Sequence, residues 1–236
     1  MNRKEIYFIR HGRSLCNELR EQKNPLADKK ESTDTELSAL GIKQAESLST
    51  FARKWCVECV MSSPLRRALL TASLVFSSHP SPLPLHVCSV LREIYWEDFE
   101  SRGLSKTSPR EFLSNLETTL EIDDFSLQYL ESDNDYNWNP MTEESLSNIE
   151  LRQLAKNALD AVLTTVAQRE EKRIAVVTHW GVLNRLFHID AKNCCAYKII
   201  IDVDENGSLQ PVEAFLLDEE LGDFLSQPDL IAQFSG

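Results

Sequence analysis

The chain has 236 residues and a formal net charge of −12 at pH 7. It is long enough to bury a core without disulfides, as one large domain or as two small ones. The negative charge argues against a general affinity for nucleic acid or anionic membranes, because both bind basic surfaces. The longest apolar runs, such as residues 174–177, are too short to span a bilayer, and the apolar run near the N-terminus is too short for a secretory signal.

The sequence contains six cysteines, and we expect them to be reduced thiols of a cytoplasmic protein. Cys56 and Cys59 have a spacing that is found in metal and redox sites. A closed zinc site needs four ligands, however, and the adjacent Cys194 and Cys195 would make an awkward second pair. We therefore expect structural thiols and no metal ion.

In the first half of the chain, apolar strands alternate with helices. An apolar strand over residues 6–9 ends at Arg10, His11 and Gly12. Ser14 and Ser38 are preferred N-cap residues, and each begins a predicted helix. The predicted elements are, in order, this strand, a helix to about residue 21, an exposed loop over 22–34, a helix to about 54, a strand over 57–61, a helix to about 76 and a strand over 85–90.

The second half contains an irregular segment and then further alternation. We interpret residues 94–141 as a substrate-side insertion, because this segment has too few apolar residues for a core of its own. The predicted elements are a helix over 109–120, a long helix over 143–169, a strand over 174–178, a helix over 182–187, a hairpin of strands over 197–203 and 209–215, and a loose acidic segment over the last twenty residues. The alternation predicts a single domain over 1–236, an α/β fold in three layers (α/β/α) with a mostly parallel central sheet.

Four of the predicted strands end in charged residues or histidines. These residues are Arg10 and His11, Arg66 and Arg67, Arg92 and Glu93, and His179. We expect them to converge, because open α/β sheets bind ligands at the carboxyl ends of their strands. Guanidinium groups match phosphate oxygens, a neutral imidazole is a nucleophile, and a carboxylic acid can protonate a leaving alkoxide. The set predicts phosphoryl transfer through a covalent histidine.

At these residues the chain resembles the histidine phosphatase superfamily, in its phosphoglycerate mutase-like branch. The resemblance runs from residue 6 to about residue 186 and is weak within 94–141. It rests on five blocks in the family's order: Arg10, His11, Gly12, Ser14 and Asn17; Asp34, Leu37, Ser38 and Gly41; Ser63 to Ala68 with Thr71 and Ala72; Leu91 to Glu93; and Val177 to Leu183.

The resemblance implies a role for each of the site residues. His11 would be the nucleophile that becomes phosphorylated, and Glu93 would protonate the leaving group and then activate water. Arg67, and not Arg66, would be the second phosphate-binding arginine, because the family's arginine directly precedes the alanine. The resemblance implies no cofactor and a small-molecule phosphate ester as substrate. The groups that would hold the phosphoryl group are Arg10, Arg67, His179 and, as a further donor, Asn17.

The chain also departs from the family pattern at several positions. Trp180 stands where glycine or serine is usual, and Glu93 is not followed by the usual glycine-containing segment. Phosphoglycerate mutases proper carry a threonine-glycine pair in the first loop and paired arginines in the insertion. Residues 22–34 have no such pair, and the insertion has only the isolated Arg102 and Arg110. The absence of the threonine-glycine pair and of the paired arginines favours a phosphatase over a mutase.

Two alternatives stay open at this point. One is a phosphomutase of the phosphoglycerate mutase type, and the other is a catalytically weak protein that binds phospho-ligands. A further likeness, around Asp124, Trp138 and Glu144, is to the mutase-like proteins of plants and fungi. The sequence predicts neither the particular phosphate ester nor an oligomeric state.

Overall fold

The computed structural model describes residues 2–28, 32–94, 109–116, 118–122, 148–204, 209–220 and 222–234. The strands are β1 (Asn2–Arg10), β2 (Cys59–Ser62), β3 (Leu83–Val87), β4 (Leu120–Ile122), β5 (Arg173–Thr178), β6 (Ala196–Val203), β7 (Leu209–Asp218) and β8 (Asp223–Ser226). The helices are α1 (Leu15–Glu21), α2 (Ala39–Ala52), α3 (Arg66–Val75), α4 (Pro109–Ser114), α5 (Asn148–Gln168), α6 (Trp180–Phe187) and α7 (Pro228–Phe234).

The eight strands form one sheet in the order β4-β3-β2-β5-β1-β6-β7-β8. The pairings from β4 through to β1 are parallel, whereas β6, β7 and β8 are added antiparallel. Arg10 is in register with Thr178, and Ser62 with Val177, so β1, β5 and β2 end at the same edge. The predicted α/β fold with a mostly parallel sheet is confirmed.

Strand β1 shows why the sheet has a helical layer on each face. Tyr7 and Ile9 belong to a core cluster with residues of α2 and α3, such as Leu48. Ile6 and Phe8 belong to a second cluster, with residues of α5 and α6 such as Phe187. Successive side chains of a strand point to opposite faces of the sheet. A strand that is apolar throughout therefore requires helices packed against both faces.

Several predicted elements are confirmed, with different ends. Ser14 and Ser38 are the N-caps of α1 and α2, as predicted. The strand predicted over 85–90 instead begins at Leu83 and stops at Val87, and a 3-10 helix over Ser89–Leu91 follows it. The helix predicted over 109–120 is wrong beyond Ser114. Residues 120–122 form β4, because Leu120 and Ile122 pair with strand β3.

The C-terminal segment was expected to be loose, and this prediction is wrong. Residues 223–226 form β8, which pairs with β7, and α7 follows directly. Leu230 of α7 is 9% exposed and belongs to the second core cluster. The segment is therefore held by strand pairing and by the packing of Leu230 against the core.

At the start of β1, a buried lysine holds the end of α5. Nζ of Lys4 donates to the carbonyl oxygens of Arg169, at 2.6 Å, and Glu171, at 3.1 Å. Lys4 has no exposed surface, and its burial lowers its pKa. A cation is favourable at a helix C-terminus, where carbonyl groups lack partners within the helix.

All six cysteines lie in the described part of the chain, and all six are free thiols, as predicted. No helix among the described residues is both long enough and apolar enough to cross a membrane. Trp138, Asp124, Glu144 and Arg102, which were singled out in the sequence, lie outside the described residues, as do 95–108 and 123–147.

Candidate active site

The strand ends that were predicted to converge do so on four neighbouring strands, β3, β2, β5 and β1. The backbone continues the sheet beyond the strands, since His11 N–H donates to Thr178 O at 3.0 Å and Ser63 N–H donates to Val177 O at 3.0 Å. His11 and His179 therefore leave adjacent strands at the same level. Their rings lie 4.9 Å apart, at an interplanar angle of 55°.

The proton on His11 is located by its hydrogen bonds. Nδ1 lies 2.6 Å from the carbonyl oxygen of Gly12, which can only accept, so Nδ1 carries the proton. Nε2 then presents its lone pair, and Nε of Arg67 donates to it at 3.3 Å. The geometry leaves Nε2 as the ring nitrogen without a proton.

The environment of His11 keeps its ring neutral. His11 is 1% exposed. Burial, then the charge of Arg67 and then that of Arg10 lower its pKa to well below 6.5. A neutral imidazole is the nucleophilic form of histidine, so burial and the two arginine charges favour that form of His11.

His179 is fully buried and is held by Ser63. Nε2 of His179 lies 2.7 Å from Oγ of Ser63. Burial first, and then the charges of Arg67, His11, Arg10 and Arg92, lower the pKa of His179 to well below 6.5. Nδ1 of His179 is buried and has no hydrogen-bond partner among the described residues. Because buried polar atoms are nearly always satisfied, this atom indicates a ligand position.

Glu93 lies beside the two histidines. One carboxylate oxygen of Glu93 and one nitrogen from each of His11 and His179 lie within 4.8 Å of one another. Two backbone amides orient the carboxylate, since Oε1 accepts from Gly181 N–H at 2.8 Å and from Ile94 N–H at 3.0 Å.

The same three side chains are of types that bind metal ions. Arg67, however, donates directly to His11, and its charge and that of Arg10 act on both histidines. Two guanidinium groups whose charges act on the site repel a cation and attract an anion. Electrostatics therefore favour an anion over a metal ion beside His11 and His179.

The structure separates the roles of two adjacent arginines. Arg67 has no exposed surface and contacts His11. Arg66 turns away, to bond Asp34 through the backbone oxygen and Glu36 through a 2.7 Å ion pair. The geometry places Arg67, and not Arg66, beside His11, and the role of Arg67 in binding phosphate stays a prediction.

Arg10 and Asn17 border the site from the side of β1. Nη1 of Arg10 donates to Ala191 O at 2.5 Å, which ties its guanidinium to the segment before β6. Oδ1 of Asn17 accepts from Ser14 N–H at 3.1 Å, in the capping box of α1, and from Nδ2 of Asn193 at 3.4 Å. Asn17 is thus oriented through its oxygen, and its role as a donor to phosphate stays a prediction.

Three further residues support the site, and the sequence interpretation gave them no role. Ser63 holds His179, as described. Thr71 of α3 accepts from Gly12 N–H at 3.0 Å and donates to Arg67 O at 2.7 Å, and so links the residues after β1 to the first turn of α3. Asn193 donates to His11 O at 3.0 Å. The family pattern includes Ser63 and Thr71, whereas no local signal points to Asn193, because it bonds the backbone of a distant residue.

Trp180, the departure beside His179, contacts the segment that follows α6. Nε1 of its indole donates to Oδ1 of Asp190 at 2.8 Å, and the side chain is half-buried. The large residue is therefore accommodated by a contact with the segment that follows α6.

The chain is similar to known proteins over most of its length. The histidine phosphatase superfamily (branch 1) matches residues 6–193. Two proteins of Arabidopsis thaliana described as phosphoglycerate mutase-like are similar: one is 26% identical over 81% of this chain and 76% of its own length, and the other 30% identical over 76% and 69%.

Solved structures share the fold. A phosphoglycerate mutase from Bacillus anthracis aligns with a TM-score of 0.54 and 20% identity, over all of this chain and 98% of that one. An α-ribazole phosphatase from Shigella flexneri aligns with a TM-score of 0.52 and 23% identity, over 87% of this chain and 93% of that one. Fold, family match and relatives agree: the chain belongs to the histidine phosphatase superfamily, with phosphoglycerate mutase-like relatives.

Proposed function

We propose that the protein is a phosphatase that hydrolyses phosphomonoesters of small molecules through a phosphohistidine intermediate on His11. The observation that carries this proposal is the state of the His11 ring. Its proton lies on Nδ1, toward Gly12 O, and its lone pair lies on Nε2, beside Arg67. A neutral imidazole held in this way among cations suits attack on a phosphorus atom better than any structural role.

In the first half-reaction, the lone pair on Nε2 of His11 attacks phosphorus as the ester P–O bond breaks. The negative charge on the phosphoryl oxygens is stabilised by Arg10, Arg67 and His179. Glu93 gives its proton to the departing alkoxide, a contribution typically worth about 10²–10⁴ in rate. The products are the free alcohol, phosphohistidine and an ionised Glu93.

In the second half-reaction, the Glu93 carboxylate removes a proton from a water molecule that attacks the phosphohistidine. The P–N bond breaks, its electron pair returns to Nε2 of His11, and inorganic phosphate leaves. Glu93 and His11 are then back in their starting states. The contacts of Glu93 with Gly181 and Ile94 support this double role, because they hold the carboxyl group beside both histidines.

The experiment is an assay of phosphate release from a panel of phosphomonoesters, with wild type, His11→Ala and Glu93→Gln side by side. Each protein is also mixed rapidly with substrate and tested for an acid-labile, alkali-stable phosphoprotein, as expected of a phosphoramidate. We expect release and transient labelling in wild type, and neither in His11→Ala. Glu93→Gln should accumulate the phosphoenzyme when the leaving group is a good one, such as a nitrophenolate.

Three outcomes would contradict the proposal. Phosphate release that survives His11→Ala would exclude this nucleophile. Isomerised product without free phosphate would favour a phosphomutase. Binding of phosphate esters without turnover of any of them would favour a non-catalytic phospho-ligand-binding protein.

A further inference from the structure

The ring nitrogens of His179 are in unlike surroundings. Nε2 lies 2.7 Å from the hydroxyl of Ser63, whereas Nδ1 is buried with no hydrogen-bond partner among the described residues. Both residues are fully buried. The tautomer of a neutral histidine determines which nitrogen donates and which accepts, so the contact with Ser63 bears directly on the chemistry of Nδ1.

The hydroxyl of Ser63 is itself held in place. Ser63 N–H donates to Val177 O on β5, and Oγ of Ser63 accepts from Leu65 N–H at 3.3 Å. One lone pair of the hydroxyl is thus already engaged at the start of α3. The hydroxyl proton has His179 Nε2 as an acceptor at short range, which completes a chain from Leu65 through Ser63 to His179.

The charges around His179 select between the two tautomers once an anion binds. The positive charges of Arg67 and Arg10 act on both rings, so an anion such as a phosphoryl group would be attracted to the space beside them. A neutral His179 with its proton on Nε2 would direct the lone pair of Nδ1 toward that anion, which is repulsive. With the proton on Nδ1, the same neutral ring donates to the anion and accepts from Ser63.

We propose that Ser63 is a positioning residue whose hydroxyl donates to Nε2 of His179, retains the ring proton on Nδ1 and thereby makes neutral His179 a hydrogen-bond donor to the bound phosphoryl group. This inference rests on the proposed function only for the identity of the anion. It assigns no covalent step to Ser63, which acts through His179.

The tautomer can be read directly, without turnover. Nitrogen-15 NMR of the full-length protein at neutral pH distinguishes a protonated Nδ1 from a protonated Nε2, with His179→Asn to assign the signals. We expect wild-type His179 to be neutral and protonated at Nδ1, with the Nδ1 signal shifting when orthovanadate, an analogue of the transferred phosphoryl group, is added. A wild-type ring protonated at Nε2 would overturn the proposal.

Ser63→Ala removes the hydroxyl, and Ser62→Ala is the matched control. Ser62 is equally buried, but its hydroxyl donates to Ser63 O and does not contact a histidine. We expect Ser63→Ala to give a mixture of tautomers and to weaken vanadate binding about tenfold or more, while Ser62→Ala retains the wild-type tautomer. An unchanged tautomer and unchanged vanadate affinity in Ser63→Ala would overturn the proposal.

Failure of the proposed function would give a different pattern. If the protein binds phospho-ligands without turnover, the assay of phosphate release is negative, yet the Nδ1 tautomer, its response to vanadate and its dependence on Ser63 are still observed. The NMR result therefore tests Ser63 independently of catalysis.

Discussion

The backbone amide of Gly181, in the first turn of α6, donates a 2.8 Å hydrogen bond to Oε1 of Glu93. The contact joins the loop after β3 to the first turn of α6, which follows His179 directly. The start of α6 therefore helps to position the side chains of both Glu93 and His179. A side chain at 181 would not fit there, because an added Cβ would clash with Oε1 of Glu93 and lie 2.5 Å from Ile94 O.

We therefore expect Gly181→Ala to displace Glu93 and lower kcat by about 10²-fold, the lower end of the contribution of a general acid. Because vanadate binding depends on the cations and not on the acid, its affinity should change less than fivefold, a rough bound from the loss of one peripheral contact. Steady-state kinetics and vanadate titration of the same preparations test this. Equal losses of kcat and of vanadate affinity would mean that the substitution disturbs the whole site.

The adjacent arginines of α3 provide a matched pair of substitutions. Arg67→Gln removes the charge that contacts His11, and we expect kcat/KM to fall by about 10²-fold or more. Arg66→Gln breaks contacts with Asp34 and Glu36, and it should cost about 1 kcal/mol of unfolding free energy while retaining most activity. Kinetics and denaturant unfolding of both variants check the contrast, and a larger kinetic defect in Arg66→Gln would refute it.

Removing the charge of Arg67 should also change the titration of His11. That charge is the second cause, after burial, of the lowered pKa of His11. In Arg67→Gln we expect this pKa to rise toward 6.5, which NMR titration of the ring would measure in the absence of substrate. A pKa that stays unchanged would show that burial alone keeps the ring neutral.

Acid should destabilise the fold through both site histidines. Their pKa values in the folded protein lie well below 6.5, so the unfolded chain binds more protons as the pH falls below that value. Their contribution to stability is complete above pH 6.5 and is lost on acidification, by up to about 1.4 kcal/mol per pH unit for each histidine. Denaturant unfolding between neutral and mildly acidic pH gives this slope.

The slope should be smaller in His179→Asn. The control is His188→Asn, because His188 is exposed and has a left-handed backbone, with φ of 50°, that asparagine tolerates. An acid slope that is the same in all three proteins would rule out buried neutral histidines as its source.

Asn193 offers a test of a supporting contact that only the structure identifies. Its Nδ2 donates to His11 O and to Oδ1 of Asn17. We expect Asn193→Asp, which keeps the shape but loses the donor and adds a negative charge, to reduce kcat/KM by about tenfold, the value of one hydrogen bond near a charged centre. Asn193→Ala should be milder, and the reverse order would contradict a role for the amide donor.

The elements that were predicted well are those whose cause is local. Ser14 and Ser38 cap helices through contacts three residues away, and Arg10 and His11 follow directly from the apolar strand β1. The sequence also placed the strand ends at one edge of the sheet. Strands that alternate with helices pair in parallel, and parallel strands have their carboxyl ends at the same edge.

The elements that were missed depend on distant partners. Strand β4 has only three residues, and it is recognisable only through its pairing with Leu83 and Leu85. Strand β8 and helix α7 lie in an acidic stretch whose few apolar residues, such as Leu230, are covered by the rest of the fold. The contacts of Ser63 with His179 and of Asn193 with His11 span more than a hundred residues, and no spacing in the sequence indicates them.

Strand β1 carries a cation bonded to carbonyl oxygens near each of its ends, Lys4 on residues 169 and 171 and Arg10 on Ala191. A shift of β1 by one residue along its neighbours would turn His11 to the opposite face of the sheet. Such a shift would break both sets of contacts together and would leave a buried ammonium without its acceptors. The contacts of Lys4 and Arg10 therefore stabilise the register of β1. Although Lys4 lies at the opposite end of the strand from His11, it helps to determine on which face of the sheet His11 lies.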